Sequence, residues 1–110
     1  MTEDKEVLTI YLGETDIYEW TQGVGKTVLM PELLVGCEEV LYNDINEVHC
    51  ARIEAIVRGN SKAFDFNVQR KNITDTIEKI LTWALEEEEY EICERVKNLN
   101  EFLENKNNTF

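Results

Sequence analysis

Between Glu47 and Gln69 the sequence alternates in a way that few arrangements besides a β-hairpin can satisfy. His49, Ala51, Ile53, Ala55 and Val57 alternate with Cys50, Arg52, Glu54, Ile56 and Arg58. Further on, Phe64, Phe66 and Val68 alternate with Ala63, Asp65, Asn67 and Gln69. A period of two puts each set on its own face of an extended strand. Between the runs lies Arg58-Gly59-Asn60-Ser61-Lys62, where Gly59-Asn60 offers residues that tolerate positive φ in a tight turn. The aliphatic face of one strand and the aromatic face of the other are expected to line one core. His49 falls on the face of Ile53 and Val57, which predicts a hydrogen-bonded imidazole at the core's edge.

The period then changes from two to three and four. Ile73, Ile77, Ile80, Leu81, Ala84 and Leu85 form one helical stripe, and Ile92, Val96, Leu99 and Leu103 form a second. Cys93 and Phe102 widen the second stripe. Asp75 and Glu78, three residues apart, suggest a capping-box start for the first helix. Glu86, Glu87, Glu88 and Glu89 separate the stripes. Four adjacent carboxylates repel one another around a helix circumference, but the macrodipole favours them at a helix N-terminus. This predicts a helical hairpin broken near Glu86–Glu88.

Towards the N-terminus the signals are β-like. Val7 to Leu12 reads as a strand ending at Gly13, with Leu8, Ile10 and Leu12 on one face. The stretch ETDIYEWTQGVG reads as turn-rich, with Ile17, Tyr18 and Trp20 pinning it to the body. Lys26 to Met30 reads as a second strand, stopped by the only proline, Pro31. ELLVGCEEVLY fits either a strand or a short helix followed by a strand over Val40 to Tyr42. No internal repeat or linker divides the chain. The expectation is therefore one α+β domain over 1–110: residues 5–70 mainly β, two helices over 72–104, and a frayed tail over 105–110. A small antiparallel sheet of four to five strands would be covered by the C-terminal α-helical hairpin.

Charge bounds the function. With 23 acidic and 11 basic residues the net charge is −12, while 43% hydrophobic residues argue for a folded chain. Residues 1–36 hold seven acids and two bases, 37–71 six and five, and 72–110 ten and four. Such a surface disfavours direct nucleic-acid binding, which needs clustered Lys and Arg, and anionic membranes likewise. Cys37, Cys50 and Cys93 are odd in number and form no CxxC pair, so reduced thiols in a cytoplasmic protein are expected, without structural zinc. The acidic start and short apolar run of MTEDKEVLTIYLG do not read as a signal peptide. Ten asparagines and a single proline suit a low-GC bacterium or its phage.

Few residues suggest chemistry. Gly23-Val24-Gly25-Lys26-Thr27 ends like a P-loop, but Trp20 occupies the first glycine position, and the expected strand over Lys26 to Met30 leaves no helix N-terminus for phosphate. His49 and Cys50, as strand neighbours, point to opposite faces and cannot act as base and nucleophile. Asn43-Asp44-Ile45-Asn46-Glu47 lacks the ligand alternation and glycine of a calcium loop and reads as a turn. Arg52, Arg58, Lys62, Arg70 and Lys71 form a local basic patch. No catalytic residue, metal site or cofactor is therefore expected, and the chain is read as a non-enzyme.

Ala84-Leu85-Glu86-Glu87-Glu88-Glu89-Tyr90-Glu91-Ile92-Cys93 resembles the start of the UVR motif, a helical hairpin of excision-repair proteins and of some bacterial Clp-associated regulators. Glu89 to Cys93 reproduces its acid, aromatic, Glu, aliphatic, small core. The chain departs from the motif at Lys97-Asn98, where the family has an Arg-Asp pair, and at the next apolar position, shifted to Leu99. The resemblance implies protein–protein contact through the hairpin, and does not imply DNA repair.

The leading expectation is an interaction module, an adaptor, regulator or inhibitor, that engages a basic protein surface. Glu86, Glu87, Glu88, Glu89, Tyr90, Glu91 and Glu94 are its candidate contact residues, and homo-oligomers are compatible with it. A nucleic-acid mimic is a sharper version, weakened by the near-neutral middle of the chain. The alternative from another class is a small-ligand or nucleotide-binding domain using Tyr18, Trp20, Gly23, Gly25, Lys26, Arg52 and Arg58.

Overall fold

The structure, a computed structural model, describes residues 8–107. The elements are β1 (Leu8–Gly13), α1 (Ile17–Gln22), α2 (Val24–Tyr42), β2 (Glu47–Val57), β3 (Asn60–Gln69), α3 (Ile73–Glu86) and α4 (Tyr90–Asn107), with a 3₁₀ turn over Arg70–Asn72. The fold is α+β. Val7 and residues 108–110 lie outside the described span, as do 5 and 6. Residues 105–107, expected to fray, belong to α4.

The β2–β3 hairpin forms as the alternation predicts, but its turn lies one residue earlier. Val57 pairs with Asn60, and positive φ falls on Arg58 (51°) and Gly59 (78°), while Asn60 is already in β3. Two left-handed residues match a two-residue turn to the strands' twist.

Four or five antiparallel strands were expected, and the described residues form three, in the order β1-β2-β3, with β1 parallel to β2. The discrepancy lies in residues 17–42. The predicted strands over Lys26 to Met30 and Val40 to Tyr42 are both parts of α2, and the predicted turn-rich stretch holds α1. The described part of the stretch expected to be mainly β, residues 8–70, is accordingly as much helix as strand. A parallel pair needs a long crossover, and the two helices supply it.

Helix α2 escapes sequence reading because its apolar residues surround it with no net amphipathic bias. Leu29, Met30, Leu33, Leu34, Cys37, Val40 and Leu41 are buried, while Val24 and Val35 face solvent. A helix apolar all round belongs in an interior. Pro31 lies inside it and removes the N–H that would reach the Thr27 carbonyl. Packing outweighs that loss, since α2 contacts β2, β3, α1, α3 and α4.

The C-terminal hairpin forms, but its packing differs from expectation. It lies mainly against α2, and α2 rather than the hairpin covers the sheet. Ile73, Ile77, Ile80 and Ala84 of α3 are buried, as are Ile92, Val96 and Leu99 of α4. Leu85, assigned to the first stripe, is exposed. Helix α3 starts at Ile73 rather than near Asp75, so Asp75 lies in its first turn, and Asn72 makes no side-chain cap. Arg95 ties α4 to α2 through a two-pronged contact with Glu38, at 3.0 Å for its Nε.

One further correction concerns strand phase. His49 pairs with Asn67, but Ala51 pairs with Phe66, so Cys50 is an extra residue in β2. A bulge of this kind reverses the alternation. Val48 and Cys50 are buried before it, and Ala51, Ile53 and Ala55 after it. His49 therefore leaves the core face and joins Arg52 on the open face of the sheet. Val57, also expected inside, is 37% exposed.

Candidate interaction surface

The turn joining α3 to α4 is a built structure. Helix α3 ends with Glu87 as its C-cap, and Glu88 adopts a left-handed φ of 56°. The Glu89 N–H donates to the Ala84 carbonyl at 2.8 Å, and the Glu88 N–H donates to the Leu85 carbonyl at 3.3 Å. These are the two bonds of a Schellman motif, which satisfies carbonyls that a helix end leaves orphaned. The Cys93 N–H then donates to the Glu89 carbonyl at 3.1 Å, which starts α4.

The electrostatics of the two ends differ. Glu91 lies in the first turn of α4, where the positive helix end favours it, but Glu86 and Glu87 crowd the negative end of α3. Lys26 answers that crowding. Its Nζ lies 3.4 Å from Glu86 Oε1 and 3.9 Å from Glu87 Oε2, and its side chain is only 15% exposed. The tie clamps the N-terminal turn of α2 to the C-terminal end of α3.

The residues expected to touch a partner are brought together here. Glu86, Glu87, Glu88, Glu89, Tyr90 and Glu91 are all exposed, and Glu94 is exposed one helical turn beyond Tyr90. Tyr90 is 65% exposed and Leu85 57%, so two large apolar side chains stand in water beside the carboxylates. The Tyr90 hydroxyl donates to Glu88 Oε1 at 3.3 Å.

The residues of the alternative ligand site are scattered. Trp20 packs its ring on Gly25, where a Cβ would come within 2.5 Å of Trp20 Cε3. Gly23 joins the two helices, its N–H shared between the Glu19 and Trp20 carbonyls. Lys26 is held by the glutamates. Arg52 lies on the open sheet face, and Arg58 at the hairpin tip. A helix does follow Gly23, where the sequence predicts a strand over Lys26 to Met30. What excludes a phosphate cradle is that α1 occupies the loop's place, and Trp20 fills the space above Gly25.

On the open sheet face Asp65 receives Arg52 Nε at 2.9 Å and lies 2.9 Å from His49 Nε2. The hydrogen bond from Arg52, with a smaller one from His49, holds the Asp65 carboxyl below its ordinary range. Glu47 accepts from Asn67 and Gln69, each at 3.1 Å. This face is thus a mixed network and not a tiling of carboxylates. The Asn43–Glu47 run ends α2 as expected of a turn. Asp44 takes a left-handed φ of 57°, its carboxylate pairs with Arg70, and the Ile45 N–H reaches the Val40 carbonyl at 3.1 Å. Burial, with Cys50 and Glu38 nearby, pushes the Cys37 thiol up to about 12. Among the described residues no three His, Cys, Asp or Glu gather to hold a metal ion.

Sequence reasoning missed one constellation. A groove of about 260 Å³ between α1 and α3 is lined by Ile17, Tyr18, Leu29, Phe66 and Trp83, with Lys79 at its side. The available signal was the four-residue spacing of Lys79 and Trp83 off the main apolar stripe. Comparison of the chain with protein-family models, with curated proteins and with solved structures yields no match. No helix among the described residues is long and apolar enough to cross a membrane.

Proposed function

We propose that the chain is a small interaction module that docks a basic surface of another protein through the α3–α4 turn, without catalysis. The observation that carries this reading is the exposure of Leu85 and Tyr90 beside the carboxylates of Glu86 to Glu91. Binding energy at interfaces concentrates in aromatic anchors shielded by a polar rim, and complementary charge steers the encounter. The Schellman turn and the Lys26 tie support the reading because they fix the anchors before binding, which lowers the ordering cost. The local resemblance to the UVR hairpin, whose family makes protein contacts, points the same way.

The test places a photo-crosslinking residue at Tyr90 and, as a control, at Lys71, which is exposed outside the acidic turn. A partner captured from position 90 alone, and lost in a variant carrying Lys in place of Glu87, Glu88 and Glu91, is the expected result. Circular dichroism of that variant should match the parent. Equal capture from both positions, or capture indifferent to the charge reversal, overturns the reading.

A further inference from the structure

The groove between α1 and α3 is independent of the acidic turn and has a different chemistry. Its floor is aliphatic, from Leu29 and Ile17, and three rings border it: Tyr18, Phe66 and Trp83. In a chain with 23 acids and 11 bases, its lining holds one charged group, the Lys79 ammonium, and no carboxylate. Lys79 Nζ lies 5.8 Å from the centre of the Trp83 ring, close enough for a cation–π contact that keeps the charge at the groove. Tyr18 is 71% exposed. An aromatic side chain left in water on a six-residue helix is unexplained by packing.

We propose that this groove binds a small planar aromatic anion, its ring held among Tyr18, Phe66 and Trp83 and its acid group on Lys79. Size limits the ligand. A dry cavity of ~150 Å³ suffices for benzene, and drug-sized ligands occupy roughly 300 Å³ or more. At about 260 Å³ the groove suits one or two fused rings with a short acidic arm. Polar groups for orientation are present. The Thr21 hydroxyl donates to the Tyr18 carbonyl at 2.9 Å, so its oxygen remains able to accept, and the Gln22 amide stands at the rim. The net charge of −12 opposes any anion at long range, but salt screens that field beyond ~8 Å under physiological conditions, and Lys79 acts within contact distance.

Three probes titrated into the ¹⁵N-labelled protein test the proposal: indole-3-acetate, tryptamine with the same ring but a cationic arm, and acetate without a ring. Indole-3-acetate should shift the Trp83 indole N–H and the Thr21 and Lys79 amide signals saturably, while the other two leave them unmoved. Lys79→Gln should weaken indole-3-acetate about fivefold, the scale of one exposed charge contact. Tyr18→Ser, at a position too exposed to matter for folding, should weaken it as well. Absence of saturable shifts with indole-3-acetate at millimolar concentration overturns the proposal. So does equal binding of tryptamine, or an affinity unchanged in both variants. None of these results bears on the acidic turn.

Discussion

Gly36 of α2 lies directly against the Cys50 thiol of β2, so that a Cβ added at Gly36 would collide with Cys50 Sγ and come 2.9 Å from Val68 Cγ2. This contact lets the helix lie flat on the sheet at the point where the Cys50 bulge turns the strand. Gly36→Ala should therefore destabilise the fold by ~1–3 kcal/mol, the usual cost of overpacking. Cys50→Ala removes the first obstacle, so the double variant should be less unstable than the sum of its parts. Urea unfolding of the four proteins in the cycle measures the coupling, expected to be at least about 0.5 kcal/mol. Strict additivity would mean that the cost of Gly36→Ala does not arise from the Cys50 thiol.

Glu88 occupies the left-handed position of the Schellman turn, where glycine is the unstrained residue. Glu88→Gly should stabilise the protein by about 1 kcal/mol, since a left-handed L-residue costs roughly that much. It also removes one of four adjacent like charges. The expected rise in Tm is about 5 °C for a chain of this size. Glu89→Gly, one residue on, meets no such strain and should not stabilise. Thermal unfolding of both variants separates backbone relief from simple charge removal.

How plainly each element shows in the sequence follows from how that element buries itself. Helices α3 and α4 and the β2–β3 hairpin each have one wet and one dry face, so their periodicity was visible. Helix α2 also has a wet stripe, but Val24, Pro31, Val35 and Tyr42 stand on it, and these apolar residues erase its periodicity. Its β-branched residues argue locally for a strand, its glycines and proline argue against a helix, and tertiary packing overrides both. Helix α1 did carry a signal: Asp16 accepts from the Tyr18 and Glu19 N–H groups, the capping pattern of Asp followed three residues later by Glu. The displaced face of His49 could not be read, because a bulge depends on the partner strand. The acidic turn was legible as charge, but its tie to Lys26 joins residues 60 positions apart.

The Asp65 contact sets a pH dependence whose direction is fixed. Its carboxyl titrates below the ordinary value of ~3.9 because Arg52, and to a lesser degree His49, bond the ionised form. The unfolded chain thus binds the proton first, and stability falls as pH drops from about 5 through the folded-state value. Asp65→Asn should flatten that part of the acid limb and leave stability above about pH 5 free of the linkage. Urea midpoints from pH 3 to 6 for parent and variant, taken in roughly pH-unit steps, check it. Parallel acid limbs would show that the pair is solvated in solution and does not couple to folding.

Cys37 sets the opposite limit, in alkali. Its thiol is pushed up to about 12 by burial first, then by Cys50 and Glu38. The unfolded thiol ionises near ~8.5, so between that value and the folded one the native state binds more protons, and stability falls as pH rises. The same shift makes Cys37 a poor nucleophile, since only ~10⁻⁴ of it is thiolate at pH 8. Cys93 is half-buried on α4, whereas Cys37 and Cys50 are buried. Iodoacetamide applied to the native protein at pH 8 should therefore alkylate Cys93 first, and Cys37 only as fast as the fold opens. In denaturing urea the three should react at similar rates. Prompt native-state labelling of Cys37, mapped by peptide mass spectrometry, would mean that α2 does not stay seated on the sheet.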